Sequence, residues 1–183
     1  RILKLAAQYS GYPEHYFKEA DETLQGNLIE KQLLALPKKF RTSGHLSRFV
    51  SDDRLFDFQS TIIKKLADSE SCIIVGKCAD YVLKDYDNVV SVYVEAPRAY
   101  CLQRVMERMD DITLEEADEL ITRTDKYRAD YYKYYTGGNY WTNPVNYDIT
   151  INNSRLGDEK SVQLILQCMR IKFGDEWYEE YMK

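Results

Sequence analysis

No stretch of this sequence stays apolar for the roughly 20 residues that a membrane-spanning helix needs. Its longest apolar runs, Cys72-Ile73-Ile74-Val75 and Val89-Val90-Ser91-Val92-Tyr93-Val94, are far shorter. Histidine and cysteine are scarce: Cys72, Cys78, Cys101 and Cys168 form no CxxC pair, and His15 and His45 lie far from them in sequence. That spacing argues against a zinc site, and reduced thiols in a cytoplasmic protein are the simpler reading, with Cys72 expected in a buried strand. Four Pro and eight Gly are too few for a fibrous or low-complexity chain. An excess of basic charge is also missing, since the formal net charge is −5. A duplex nucleic acid partner is therefore not expected, whereas a small anion needs only a local arginine cluster. The start of the sequence lacks the apolar length and small-residue cleavage site of a signal peptide.

What is present fits one α/β domain spanning residues 1–183. The 183 residues are 44% apolar and 30% charged, and a chain of that size buries roughly 70% of its unfolded surface without help from a disulfide or metal. Ile2-Leu3-Lys4-Leu5-Ala6-Ala7 already shows helical spacing directly after Arg1, so the sequence is expected to open inside an element with a segment upstream. Helices are expected over 2–9, ended by Ser10-Gly11-Tyr12-Pro13, and over 14–22. Leu28, Ile29, Leu33, Leu34 and Leu36 indicate a further helix before Pro37, and a basic loop follows over 38–48.

The centre of the chain reads more sharply. Leu55, Phe58, Gln59, Ile62, Ile63 and Leu66 line one helical face behind the capping residues Ser51-Asp52-Asp53. The run 72–75, bounded by Ser71 and Gly76, predicts a strand buried on both faces, as in a parallel sheet. A short helix over 79–83, a strand over 89–94 and a helix opened by Pro97 and running to 109 complete a strand–helix–strand–helix order with right-handed crossovers. Thr113-Leu114-Glu115-Glu116 is a capping box that starts a long polar helix reaching 127 or 135, broken by Gly137-Gly138. A third strand over 147–152 follows Asn143-Pro144, and a closing helix over 158–173 carries Val162, Ile165, Leu166 and Met169 on one face.

Three charge clusters sit where phosphate chemistry would want them, at strand ends and on the helices between strands. Gly76-Lys77-Cys78-Ala79-Asp80 follows the run 72–75; its glycine allows close backbone approach and its lysine can pair with a phosphate, or the segment is a solvated turn. Arg104 and Arg108 share a helical face and either bind an anion or pair with Glu107 and Asp111. Arg123-Thr124-Asp125-Lys126-Tyr127-Arg128 sets Asp125 and Arg128 three residues apart. That pair can read an exocyclic amine and clamp a phosphate, or form an intrahelical ion pair. Tyr127, Tyr131, Tyr132, Tyr134, Tyr135, Tyr140 and Trp141 offer faces for a nucleobase, or for interior packing or a contact between like chains.

Several runs together resemble the cytidylate-kinase-like family. They are Leu55-Phe56-Asp57-Phe58-Gln59-Ser60, Ser71 through Leu83, Arg104-Val105-Met106-Glu107-Arg108, Thr124 through Tyr132, Tyr147-Asp148-Ile149, and Asn153-Ser154-Arg155-Leu156-Gly157. The resemblance implies a three-layer α/β domain of the P-loop kinase type, with a parallel sheet and a helical lid over about 104–142. The implied activity is transfer of the terminal phosphoryl group of ATP, with Mg²⁺, to CMP or dCMP. It also implies substrate contacts from Lys77, Asp80, Arg104 and Asp125, and catalytic charge from Arg108, Arg123 and Arg128. Family members usually have Arg where this chain has Lys77, which keeps the charge and loses the planar fork.

No G-x-x-x-x-G-K-[ST] motif occurs, because Gly76-Lys77 is followed by Cys78. The N-terminal strand and phosphate loop of the family are thus expected upstream of Arg1, and these 183 residues alone are expected to be inactive. The alternatives are a non-catalytic nucleotide-binding or interaction domain and a kinase for another small acceptor. A homo-oligomer stays open.

Overall fold

The computed structural model describes residues 52–181. The expected helices over 2–9, 14–22 and 28–36 and the basic loop over 38–48 lie outside them. Helix α1, Asp52–Ser69, is apolar at helical spacing. Gln59, Ile62, Ile63 and Leu66 are buried on that face, with Ile63 at 0% exposure. Each full burial of such an aliphatic side chain is worth about 1.5–3 kcal/mol. Helix α2, Ala79–Val82, follows, and α1 packs on it.

The run between α1 and α2 corrects one expectation. Residues 72–75 form no strand, and Ile73 and Val75 are 95% and 84% exposed. A strand needs a ladder partner for its backbone groups. No described residue supplies one, so the run keeps apolar composition without burial.

A division after Leu83 separates the described residues into two compact units. The later unit contains β1 (Val92–Glu95), α3 (Arg98–Arg108), α4 (Leu114–Tyr135), a 3₁₀ turn (Pro144–Asn146), β2 (Ile149–Asn152), α5 (Asn153–Phe173) and α6 (Asp175–Tyr181). β1 and β2 pair in parallel, with Val92 opposite Ile149 and Glu95 opposite Asn152. Helix α5 packs on both strands, and Ile151 is 1% exposed. The fold is thus helix-rich α/β with a two-stranded parallel sheet among the described residues.

Local chemistry explains where these elements begin and end. Pro97 is the N-cap of α3, where its missing N–H costs nothing. Thr113 caps α4 reciprocally: its hydroxyl accepts from the Glu116 N–H at 3.2 Å, and its own N–H donates to the Glu116 carboxylate at 2.8 Å. Helix α4 reaches Tyr135, the longer of the two expected ends, and Gly137 and Gly138 continue with φ of 70° and 106°. Gly157, at φ 76°, kinks α5, so the expected start at 158 is the start of its straight portion. On the expected α5 face Val162 remains 54% exposed, whereas Ile165, Leu166 and Met169 are half-buried.

Below the sheet ends, Asp148 acts as a staple. Its carboxylate accepts from the Ser91 N–H at 2.8 Å, the Ser91 hydroxyl at 3.0 Å and the Lys172 ammonium at 2.8 Å. These bonds tie the start of β1, the start of β2 and the last turn of α5 into one point. Partial burial raises the Asp148 carboxyl pKa, but the hydrogen bonds from Lys172 and Ser91 outweigh it and hold the group below its ordinary value.

Candidate functional site

Residues 76–80 form a strained turn. Gly76, Lys77 and Cys78 are consecutive left-handed residues, with φ of 70°, 61° and 52°. For a residue with a Cβ this conformation costs roughly 1–2 kcal/mol, and such costs concentrate at functional positions. The turn closes through the Ala79 N–H donating to the Gly76 carbonyl at 3.1 Å, and Asp80 lies in the first turn of α2.

Cys78 is buried, and burial first, then Asp80, pushes its thiol up to about 12 against the pull of Lys77. It is a neutral packing group at physiological pH, without thiolate character. Lys77 is half-buried, and burial pulls its ammonium below the ordinary lysine value, opposed by Cys78. A partly desolvated cation gains more from an anionic partner than a hydrated one does.

The other candidates belong to the later unit. One face of α4 presents Asp125 and Arg128 beside β1: the Arg128 Nη1 donates to Asp125 Oδ1 at 3.3 Å. The guanidinium carbon of Arg128 lies 5.9 Å from the Trp141 ring centroid. Trp141 meets Tyr93 of β1 edge-on at 5.4 Å, and Tyr93 stacks on Tyr147 at 5.2 Å. Burial, then the carboxylates of Glu95 and Asp125, push the Tyr93 phenol pKa up, while Arg128 pulls it down. The strand and the long helix thus bring an acid, a cation and three aromatic rings to one place.

Arg104 is occupied by carboxylates. It pairs with Glu107 at 3.2 Å within α3 and with Asp158 of α5 at 3.5 Å. Arg108 and Arg123 are exposed and have no ion-pair partner among the described residues. Helices α3 and α4 are held together by Arg98, whose Nη2 lies 2.7 Å from Asp118 Oδ1 and donates to Thr122 Oγ1 at 2.6 Å.

Within α4, Tyr127, Tyr131 and Tyr135 form a ladder with successive centroid separations of 5.9 and 4.7 Å. Tyr134 and Tyr140 are 64% and 61% exposed, and Lys133 lies over the Tyr140 ring at 5.6 Å. Only Tyr132 of this group is buried.

Tyr93 was not singled out in the sequence and Tyr147 was quoted only within a family run, because they meet Trp141 only after β1 and β2 pair. Asp148 had no usable signal either: the expected strands over 89–94 and 147–152 placed Ser91 and Asp148 inside them, whereas the observed strands start one residue after each, at the Val92–Ile149 register pair.

A sequence model described as the cytidylate kinase-like family matches residues 1–155 of the chain. Among solved structures, the crystal structure of an uncharacterized protein from Eubacterium ventriosum ATCC 27560 is similar. It has 27% sequence identity and a TM-score of 0.60, covering 65% of this chain and 74% of that one. No curated protein matches.

Proposed function

Because the chain belongs to the cytidylate kinase-like family, we propose that it works as a nucleoside monophosphate kinase when a phosphate-binding loop accompanies it, passing the γ-phosphoryl group of ATP to CMP or dCMP. The observation that carries this reading is the Asp125–Arg128 pair set against Tyr93 and Trp141 beside β1. A carboxylate next to aromatic faces suits an aminated base, and a guanidinium beside them suits phosphate.

In this reading Asp125 reads the exocyclic amine of cytosine and Lys77 neutralises the monophosphate. Arg104 binds phosphate after exchanging Glu107 or Asp158 for it. Arg108, Arg123 and Arg128 meet the charge that spreads over the transferred group. Catalysis is positioning and electrostatics, with no covalent intermediate. Among the described residues no cluster of three or more His, Cys, Asp or Glu side chains forms a ready metal cage. Mg²⁺ in phosphoryl transfer takes most of its ligands from phosphates and water, so Asp80 would reach it through water.

We extend the proposal to the three-layer P-loop fold. The exposed side chains of Ile73 and Val75 support it. Burying Ile73 and Val75 against a neighbouring strand would recover about 3–6 kcal/mol. A second reading is a non-catalytic nucleotide-binding domain in the same family.

A thermal-shift series with CMP, dCMP, AMP, UMP and ATP separates the readings, since a ligand that binds only the native state raises the melting temperature. The kinase reading expects CMP or dCMP to stabilise more than AMP or UMP. Stabilisation by ATP alone would favour the non-catalytic domain. A melting temperature that no nucleotide moves would remove both.

A further inference from the structure

Trp141 lies in the turn after α4 and is held from two sides. The Tyr147 hydroxyl donates to its backbone carbonyl at 2.6 Å, and the Tyr93 ring meets its indole at 5.4 Å with an interplanar angle of 89°. Tyr93 is itself stacked on Tyr147 at 5.2 Å, with planes 22° apart. The indole is therefore fixed to β1 and to the approach of β2, independently of the helix that carries Arg128.

Arg128 has the opposite character. Its side chain is 56% exposed, and its ion pair with Asp125 spans only i to i+3 at 3.3 Å. A pair of that kind is too weak to order a long, rotamer-rich side chain by itself. The indole supplies the second contact, with the guanidinium carbon 5.9 Å from its centroid, inside the range of a cation–π interaction. A contact with the ring uses none of the five N–H donors as a hydrogen bond, so those not turned to Asp125 stay available, and they are the donors a phosphate takes.

We propose that Trp141 is a positioning residue that holds the Arg128 guanidinium over its indole face, so that the cation is already oriented when the phosphate of a bound nucleotide arrives. What Arg128 meets rests on the phosphoryl-transfer reading; how it is held does not. An incoming phosphate competes with Asp125 for the N–H donors while the indole keeps its contact. Loss of the ring should thus act on turnover more than on ground-state affinity.

The test joins one measurement on the resting protein to one on the reaction. In the 183-residue protein, the Arg128 side-chain Nε–Hε resonance is assigned by its disappearance in Arg128→Lys and compared with Trp141→Leu and Trp141→Phe. The expected result is an upfield ring-current shift in wild type and in Trp141→Phe that is lost in Trp141→Leu. In the polypeptide carrying a phosphate loop, Trp141→Leu should lower kcat about 10-fold with KM for both nucleotides little changed, while Trp141→Phe stays close to wild type. An Arg128 resonance that is the same in wild type and Trp141→Leu overturns the proposal. So does an unchanged kcat in Trp141→Leu once the resonance has moved. Absence of phosphoryl transfer in every variant, with the resonance behaving as expected, supports the holding of Arg128 and overturns the kinase reading instead.

Discussion

Arg128 has two neighbours that restrain it in different ways: Asp125 takes an N–H donor, and the guanidinium carbon sits over the Trp141 ring at 5.9 Å from its centroid. An arginine whose full partner is the transition state should matter far more for turnover than for binding. In a polypeptide with a phosphate loop, Arg128→Ala should therefore lower kcat by about 10³-fold, the scale of arginines that stabilise a transferring phosphoryl group. KM should move much less. Steady-state kinetics checks this, and a kcat within about threefold of wild type would remove Arg128 from the site. At this scale the sequence was informative about partners within a helix, since spacing alone pairs Asp125 with Arg128 and Arg104 with Glu107. It was silent on Trp141 over Arg128 and on Asp158 beside Arg104, because those contacts depend on how separate elements pack.

Among the elements, α4 and the β1–β2 pair carry the candidate site, and each has a device that can be removed singly. Thr113→Ala abolishes the reciprocal cap of α4 and should cost about 1 kcal/mol in urea denaturation, with Thr113→Ser largely restoring it. Equal midpoints for wild type and Thr113→Ala would show that packing alone sets that helix start. The Asp148 staple gives a pH signature. Its carboxyl pKa is lower folded than unfolded, so its contribution is complete above the unfolded value, near pH 4, and is lost as pH falls through the lower folded value. Asp148→Asn should be less stable by about 1–2 kcal/mol at neutral pH, a figure reduced for a carboxylate that is 31% exposed. The gap between variant and wild type should narrow from pH 5 to pH 3 in paired denaturation curves. A gap independent of pH would contradict the assignment.

Helices were the legible elements, because their period and caps are local: the Thr113 box, Pro97 and the Gly137-Gly138 stop each act within a few residues. The run 72–75 misled, since apolar composition reports what a segment is suited to and not whether a neighbour covers it. Helix α6 was missed because Asp175–Tyr181 is short and mostly polar, and its docking on α5 through Phe173–Trp177 ring contact and the Arg170–Asp175 pair is tertiary.

For the whole molecule, several motifs in family order were enough to identify the family, whose sequence model matches residues 1–155. No single motif reached that specificity. Among the described residues no helix is long and apolar enough to cross a membrane. The central proposal is that this chain, which belongs to the cytidylate kinase-like family, works as a nucleoside monophosphate kinase when a phosphate-binding loop accompanies it. The direct measurement is Mg²⁺- and ATP-dependent formation of CDP from CMP. It compares the 183-residue protein with a polypeptide in which a strand and Gly-rich phosphate loop precede residue 1. The account predicts CMP-dependent turnover in the longer polypeptide and none above background in the shorter. Turnover by the 183 residues alone, or its absence from both, would contradict it.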